Sequence, residues 1–181
     1  VQKILLLGKP KAGKTTLVKK VLAGLAKTAY GGFFTEEIRE KGERVGFKIT
    51  STNGEESILA HINPTLARKG GVNHKSPYRV SKYYVNVSGF EQIALKAISR
   101  AEKEKDLIII DEIGKMELFS QKFVNKIEEI FTKGRKKALA TIPVSNIPLV
   151  KKLQSLSDTE VVEVTERNRD RLVSELINKL E

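Results

Sequence analysis

The sequence predicts an α/β sandwich around a mainly parallel, mixed sheet, with an antiparallel hairpin insertion at one edge. Three observations carry that prediction. Strand-like and helix-like segments alternate before and after a β-rich insertion at about 33–87. Leu107–Ile110 is an uninterrupted apolar run, the pattern of a parallel strand covered on both faces. Gly8–Thr15 has the spacing G-x-x-x-x-G-K-[ST], which belongs between a buried strand and a helix.

The elements follow in chain order. Gln2–Leu7 reads as a short apolar strand running into Gly8, and a helix begins at Lys14. On it Leu17, Val18, Val21, Leu22, Leu25 and Ala26 share one stripe, with Lys19, Lys20 and Lys27 off it. Gly31-Gly32 is expected to break the chain before strands Phe33–Arg39 and Val45–Ser51, joined by the turn Lys41-Gly42-Glu43. A third strand is expected near Glu56–Ala60. Residues 61–81 are the least structured by pattern, holding Gly70-Gly71 and both histidines. Lys82–Val87 returns to strand, and Phe90, Ile93, Ala94, Ala97, Ile98 and Ala101 then mark one buried helix face. Helix 120–133, strand 137–142, a short helix near 148–155, strand 160–164 and helix 166–180 complete the chain.

Composition bounds the function. At 181 residues, with no internal repeat or linker, a single domain spanning 1–181 is the expectation. The absence of cysteine removes disulfides, cysteine-ligated zinc, Fe–S clusters and thiol nucleophiles. No apolar run approaches the ~20 residues of a membrane span. Val1-Gln2-Lys3 leads into only a few apolar residues before Gly8, unlike a secretory leader, so the expected compartment is cytoplasmic. Lys+Arg of 33 against Asp+Glu of 22 gives a net charge of +11, which invites a nucleic-acid reading. Its rival is heat adaptation: lysine-rich, 30% charged and nearly free of Cys and Met.

Two motifs carry the chemistry. In Gly8-Lys9-Pro10-Lys11-Ala12-Gly13-Lys14-Thr15, followed by Thr16, the glycines let backbone N–H groups curl around phosphate. Lys14 can reach the β- and γ-phosphates, the Thr15 hydroxyl can ligate Mg²⁺, and the helix that follows turns its positive end to the anion. About ninety residues downstream, Leu107-Ile108-Ile109-Ile110-Asp111-Glu112 is an apolar strand ending in two acids. A carboxylate there sits at the edge where open α/β sheets bind ligands. Asp111 is placed to hold the Mg²⁺ shell through water, and Glu112, pointing differently, to orient and deprotonate an attacking water. A water-activating glutamate favours hydrolysis over transfer to another acceptor.

Other residues carry weaker signals. Thr141, at the end of a strand, could sense the γ-phosphate or simply suit a strand end. Arg167 and Arg169 could neutralise phosphate charge, though solvated helix arginines are commoner. Arg39 and Arg44 flank the hairpin turn and read as exposed. Glu36 and Glu37 point to opposite strand faces and are not a paired acid/base site. His61 and His74 lack the spacing of a metal site. The runs Lys133–Lys137 and Lys151-Lys152 read as solvated faces, and Tyr78, Tyr83 and Tyr84 sit in no recognisable RNA-binding motif.

Phe33-Phe34-Thr35-Glu36-Glu37-Ile38-Arg39, Arg44-Val45-Gly46-Phe47, Phe90-Glu91-Gln92 and Asp111-Glu112-Ile113-Gly114-Lys115-Met116-Glu117-Leu118 together resemble one family. Thr141-Ile142-Pro143 and Val164-Thr165-Glu166-Arg167-Asn168-Arg169 continue the likeness. The chain is similar over its whole length to the THEP-type nucleoside-triphosphatases, small P-loop enzymes of thermophilic prokaryotes with an animal counterpart, the cancer-related nucleoside-triphosphatase. The resemblance implies a RecA-like, mixed-sheet P-loop fold and slow, Mg²⁺-dependent hydrolysis of several nucleoside triphosphates to diphosphate and phosphate. It assigns phosphates to Gly8–Thr15, Mg²⁺ to Thr15 and Asp111, and the water to Glu112. No base-reading Asn-Lys-x-Asp motif is present, which agrees with broad specificity.

The leading expectation is therefore a Mg²⁺-dependent nucleoside-triphosphatase, monomeric by default. Its rivals are a nucleic-acid-stimulated ATPase, a nucleoside or nucleotide kinase, and a binding-only P-loop module. Phosphate release with and without nucleic acid, and with acceptor nucleosides, separates them.

Overall fold

The computed structural model describes residues 2–67 and 76–181, so Gly70-Gly71 and His74 lie outside the described residues. In chain order these form β1 (Lys3–Gly8), α1 (Lys14–Gly24), β2 (Tyr30–Glu40), β3 (Glu43–Ser51), β4 (Glu56–His61), β5 (Arg79–Val80), β6 (Tyr83–Val85) and α2 (Val87–Glu104). Then come β7 (Leu107–Asp111), a 3₁₀ turn (Glu117–Phe119), α3 (Gln121–Thr132), β8 (Lys137–Pro143), α4 (Pro148–Gln154), β9 (Thr159–Glu163) and α5 (Arg169–Leu180). The strands hydrogen-bond into one sheet in the order β5-β6-β4-β3-β2-β7-β8-β1-β9.

From β2 to β9 every pairing is parallel, and from β2 to β5 every pairing is antiparallel. The expected mixed α/β sheet is therefore present, but its antiparallel part is larger than one hairpin. β3, β4, β6 and β5 all extend it, and β5–β6 is a small hairpin partly within the stretch that carried no pattern. β6 is shorter than the expected strand because Asn86 caps α2, its side chain accepting from the Gly89 N–H at 3.0 Å.

Side chains alternate across the sheet, so each strand feeds two cores. Ile4, Leu6, Ile109 and Leu139 pack with Leu17, Val21, Leu172 and Leu176 of α1 and α5. Leu5, Ile108, Ile110 and Ala140 pack on the other face with α2, α3 and α4. There Phe33, Phe90 and Phe123 meet edge-to-face at centroid separations of 5.0–6.0 Å. Each such buried side chain contributes roughly 1.5–3 kcal/mol. The result is a three-layer sandwich.

Three local boundaries depart from the expectation, and two of them have a stated physical cause. Gly31-Gly32 does not break the chain but lies within β2. At Gly32 φ is +141°, and a Cβ would stand 1.9 Å from the Ile109 carbonyl oxygen, so β2 can lie against β7 there only without a side chain. α1 ends at Gly24, short of Leu25 and Ala26. α5 starts at Arg169 rather than 166, because Asn168 organises the preceding turn: it accepts from Thr165 N–H at 2.8 Å and donates to Glu163 O at 2.8 Å.

β2 sets the shape of the ligand edge. Its last partner on β7 is Asp111, opposite Phe34, yet it runs on to Glu40 paired only with β3. That overhang projects about 20 Å past the end of β7, at ~3.3 Å per residue, so a β2–β3 wall stands over the C-terminal edge. Among the described residues no helix is long and apolar enough to cross a membrane.

Candidate active site

The loop from Gly8 to Gly13 leaves β1 at the carboxyl edge and enters α1. Gly13, at φ +95°, turns the chain into the helix; a Cβ there would meet the Arg169 guanidinium at 2.8 Å. Gly8 is buried, and its carbonyl accepts from Lys14 Nζ at 2.6 Å. Lys14 is itself buried, with Nζ also 3.4 Å from the Lys9 carbonyl and 3.8 Å from Glu112 Oε2. The ammonium is thus folded against the loop beside Glu112.

Asp111 ends β7 and is 2% exposed. Burial raises its carboxyl above the ordinary range, opposed by two hydroxyls that donate to it. Thr15 Oγ1 reaches Oδ2 at 2.6 Å, and the fully buried Thr141 hydroxyl bonds Oδ1. Two of the expected residues are thereby brought together. Thr141 faces Asp111 from β8, and like Asp111 it does not line either cavity at this edge.

Glu112 follows across a cis peptide and points elsewhere, with its side chain one-third exposed (33%). Burial of the carboxyl raises its pKa, the Asp111 charge adds to that, and Lys14 opposes it. Nearby Glu117, in the 3₁₀ turn, is buried, and desolvation with the Glu112 charge pushes it up to about 8. Nothing in its position in the sequence marks it as different from any turn acid.

A cavity of about 630 Å³ covers the phosphate loop, lined by Lys9 through Thr16 and by Glu112 and Arg169. The β2–β3 overhang supplies its other wall through Glu37, Arg39, Arg44 and Phe47. The sequence reading took these arginines as exposed beside a hairpin turn, and Arg39 is exposed and Arg44 half-buried there; what it did not show is that both border this cavity. Arg44 donates to Tyr83 Oη and to Glu37, both at 2.9 Å, and its guanidinium sits 5.1 Å and 5.6 Å from the Phe47 and Tyr83 ring centres. Arg39 donates to Glu37 and to the Gly42 carbonyl, both at 2.9 Å. Burial pushes the Glu37 carboxyl up, but the bonds from Arg44 and Arg39 outweigh it and hold the group below its usual range. Only tertiary placement exposes this function of the wall; the one sequence signal was arginine at both ends of a hairpin turn.

The remaining candidates separate cleanly. Arg169 lies against the loop, its Nη1 3.5 Å from the Ala12 carbonyl, whereas Arg167 is exposed and outside the cavity lining. Glu36 faces away from Glu37 and pairs with Lys19 and Lys48. His61 is buried, its Nδ1 accepting from Asn63 N–H at 2.9 Å. Several lysines of the basic runs have local partners: Lys136 donates to the Lys105 carbonyl, Lys137 to the Leu180 carbonyl, and Lys152 pairs with Glu128.

Comparison with known proteins agrees with this geometry. A family model described as NTPase matches residues 3–177. Nucleoside-triphosphatase THEP1 of Thermotoga sp. (strain RQ2) is 48% identical over 178 residues, covering 98% of this chain and 95% of that protein. The crystal structure of THEP1 from the hyperthermophile Aquifex aeolicus superposes with a TM-score of 0.84 at 38% identity, covering 99% of both chains. The solution structure of a human cancer-related nucleoside triphosphatase gives 0.77 at 32% identity, covering 100% of this chain and 98% of that one. Matched by that family model over nearly its whole length and by relatives at this identity and coverage, the chain belongs to this NTPase family.

Proposed function

We propose that the chain acts as one catalytic domain over 1–181, hydrolysing nucleoside triphosphates to diphosphate and phosphate with broad base specificity and Mg²⁺ as cofactor. The observation that carries this reading is the convergence at one edge: Lys14 3.8 Å from Glu112, and Thr15 2.6 Å from Asp111, beneath a cavity of about 630 Å³.

The donor set suits Mg²⁺. Thr15 and Asp111 offer hard oxygens, and among the described residues no group of three or more His, Cys, Asp or Glu forms an all-protein cage. Magnesium sites of nucleotide enzymes have that composition, one or two protein oxygens completed by phosphate and water. When bound, the ion would neutralise phosphate charge. Asp111, held by Thr141, would keep the shell in place.

The chain's own groups do the rest. Backbone amides of Lys9–Thr15 and the Lys14 ammonium hold the phosphates and absorb charge as it develops. Glu112 accepts the proton of a water attacking in line, a contribution of about 10²–10⁴-fold. Its raised pKa, set by burial and opposed by Lys14, makes its carboxylate a better base than an ordinary one. Arg39, Arg44 and Arg169 stand around the same cavity as further positive charge for the triphosphate. The lysines and arginines that line the cavity suit phosphate rather than any one base, which supports tolerance of different bases.

The test is phosphate release from ATP, GTP, CTP and UTP with Mg²⁺ or with chelator, by the parent chain and by Glu112→Gln. Expected are turnover of all four, loss with chelator, and about 100-fold or greater slowing in Glu112→Gln with nucleotide binding retained. Unimpaired turnover in that variant would remove Glu112 from its role, and no release from any triphosphate would overturn the hydrolase reading.

A further inference from the structure

A second cavity, of about 290 Å³, opens on the far side of Glu112 from the phosphate loop. The two cavities share Phe47, Glu112 and Pro143. Glu112 stands on the rim that the two cavities share, and its two oxygens face different neighbours. Oε2 lies 3.8 Å from Lys14 Nζ. Oε1 lies on the other side, where a Cβ placed on Gly114 would meet it at 2.8 Å and Glu117 Oε2 at 2.9 Å. Absence of a side chain at Gly114 therefore keeps both carboxyls at the cavity's edge.

This space is much larger than hydrolysis requires. A water takes about 30 Å³ of liquid volume, whereas small-molecule sites begin near 300 Å³ and combine an apolar lining with a few placed polar groups. Leu59, Val80, Met116 and Val144 supply the apolar lining here, and Thr35 and Ser145 supply hydroxyls. The Glu112 and Glu117 carboxyls and the Lys115 side chain also line it, polar groups of both kinds that favour no strongly ionic guest.

We propose that this cavity is an acceptor subsite. It takes an uncharged alcohol of about nucleoside size, with an apolar or aromatic body, and the enzyme transfers the γ-phosphoryl group to its hydroxyl, water being the alternative nucleophile. This rests on the reading above, in which Lys14 and Glu112 flank the γ-phosphate. In the transfer, the acceptor oxygen forms a bond to the γ-phosphorus as the bond from that phosphorus to the bridging oxygen breaks. The bridging oxygen keeps the electron pair and leaves with the nucleoside diphosphate. The hydroxyl proton passes to Glu112, which later releases it to solvent. The sum is alcohol plus triphosphate giving phosphate monoester, diphosphate and one proton. A carboxylate placed to accept a proton from water is also placed to accept one from an alcohol whose hydroxyl reaches the γ-phosphorus over that shared rim.

The experiment uses the full chain with Mg²⁺ and ATP labelled at the γ-phosphate, with millimolar thymidine, adenosine or benzyl alcohol as probes. Labelled ester and inorganic phosphate are separated and counted. The expected result is labelled ester with at least one probe, and phosphate release that falls as that probe saturates. Val80→Trp and, separately, Ser145→Phe fill the cavity from two sides and should each lower the ester-to-phosphate ratio at least tenfold. Phosphate alone, at a rate no probe changes, would overturn the acceptor site while leaving the hydrolase reading intact. Ester that persists in both filled variants would overturn this location for the acceptor. Neither ester nor phosphate in the parent chain would overturn the hydrolase reading and this inference with it.

Discussion

Replacing Thr141 with valine tests the support of Asp111 with little change of shape. Thr141 is fully buried and donates to Asp111 Oδ1, while Thr15 donates to Oδ2 at 2.6 Å. Valine keeps the branched volume and removes one of the two hydroxyl donors. A hydrogen bond to a charged group is worth about 1.5–3 kcal/mol. For a chain of this size each kcal/mol moves Tm by about 2–4 °C, so the expected fall is roughly 3–12 °C. The sign of the pH dependence follows from Asp111. Burial already raises its folded-state pKa, and losing Thr141 raises it further. A carboxyl raised on folding costs stability above its unfolded pKa, so the deficit of Thr141→Val should be largest at neutral pH. It should shrink as pH falls through the raised folded-state range of Asp111 and be smallest below it, where the folded carboxyl is protonated in both chains. If Thr15 turns toward the ion during turnover, Thr141 is left as the side-chain donor to Asp111. The same 1.5–3 kcal/mol then appears as about 10- to 150-fold in kcat/KM at limiting Mg²⁺. Thermal melts at pH 4 and 7, with a Mg²⁺ titration of phosphate release, read both effects, and Thr141→Ser should recover most of the activity. A valine variant with Tm within 1 °C and kcat/KM within twofold of the parent would refute the reasoning.

Lys14→Ala should lower kcat/KM at least 100-fold and weaken triphosphate binding, checked by phosphate release and by calorimetry, because nothing else in the loop carries its charge to the same point. Arg44→Ala should raise KM for ATP about tenfold, with Arg44→Lys recovering only part, since a lysine cannot donate to Glu37 and Tyr83 Oη in the arginine's geometry while stacking on Phe47. Glu117 has a folded-state pKa of about 8 against about 4.3 when unfolded, so the native chain holds a proton that the unfolded chain has released. Stability should therefore fall as pH rises from about 4 to 8, and Glu117→Gln should flatten that fall, read as Tm measured from pH 5 to 9.

The order of strands and helices was legible because burial leaves a period in the sequence. Alternation across β1 and the apolar run of β7 are visible without coordinates, as is the helical stripe of α2. The boundaries that slipped were governed by contacts with other segments. Gly31-Gly32 looks like a break until Ile109 is seen to occupy the space their side chains would need. The turn before α5 is held by Asn168, whose partners lie on Glu163 and Thr165.

For the site, the sequence by itself determined the phosphate loop and the acidic strand end, because those functions need fixed residue types at fixed local spacing. A loop must close on one phosphate within eight residues, and a strand end needs only its own last two side chains. Tertiary structure alone decided the rest. Thr141 joins Asp111 because β8 lies beside β7, although the two residues are thirty positions apart. Arg39 and Arg44 face the loop because β2 overshoots its parallel partner, a length mismatch that no local pattern records. Glu117 becomes a strong acid/base oddity only through what buries it. Long-range contact has no periodic signature in the chain, and the second cavity beside Glu112 forms only where the 112–117 segment meets β2, β3, β4, β5 and the end of β8.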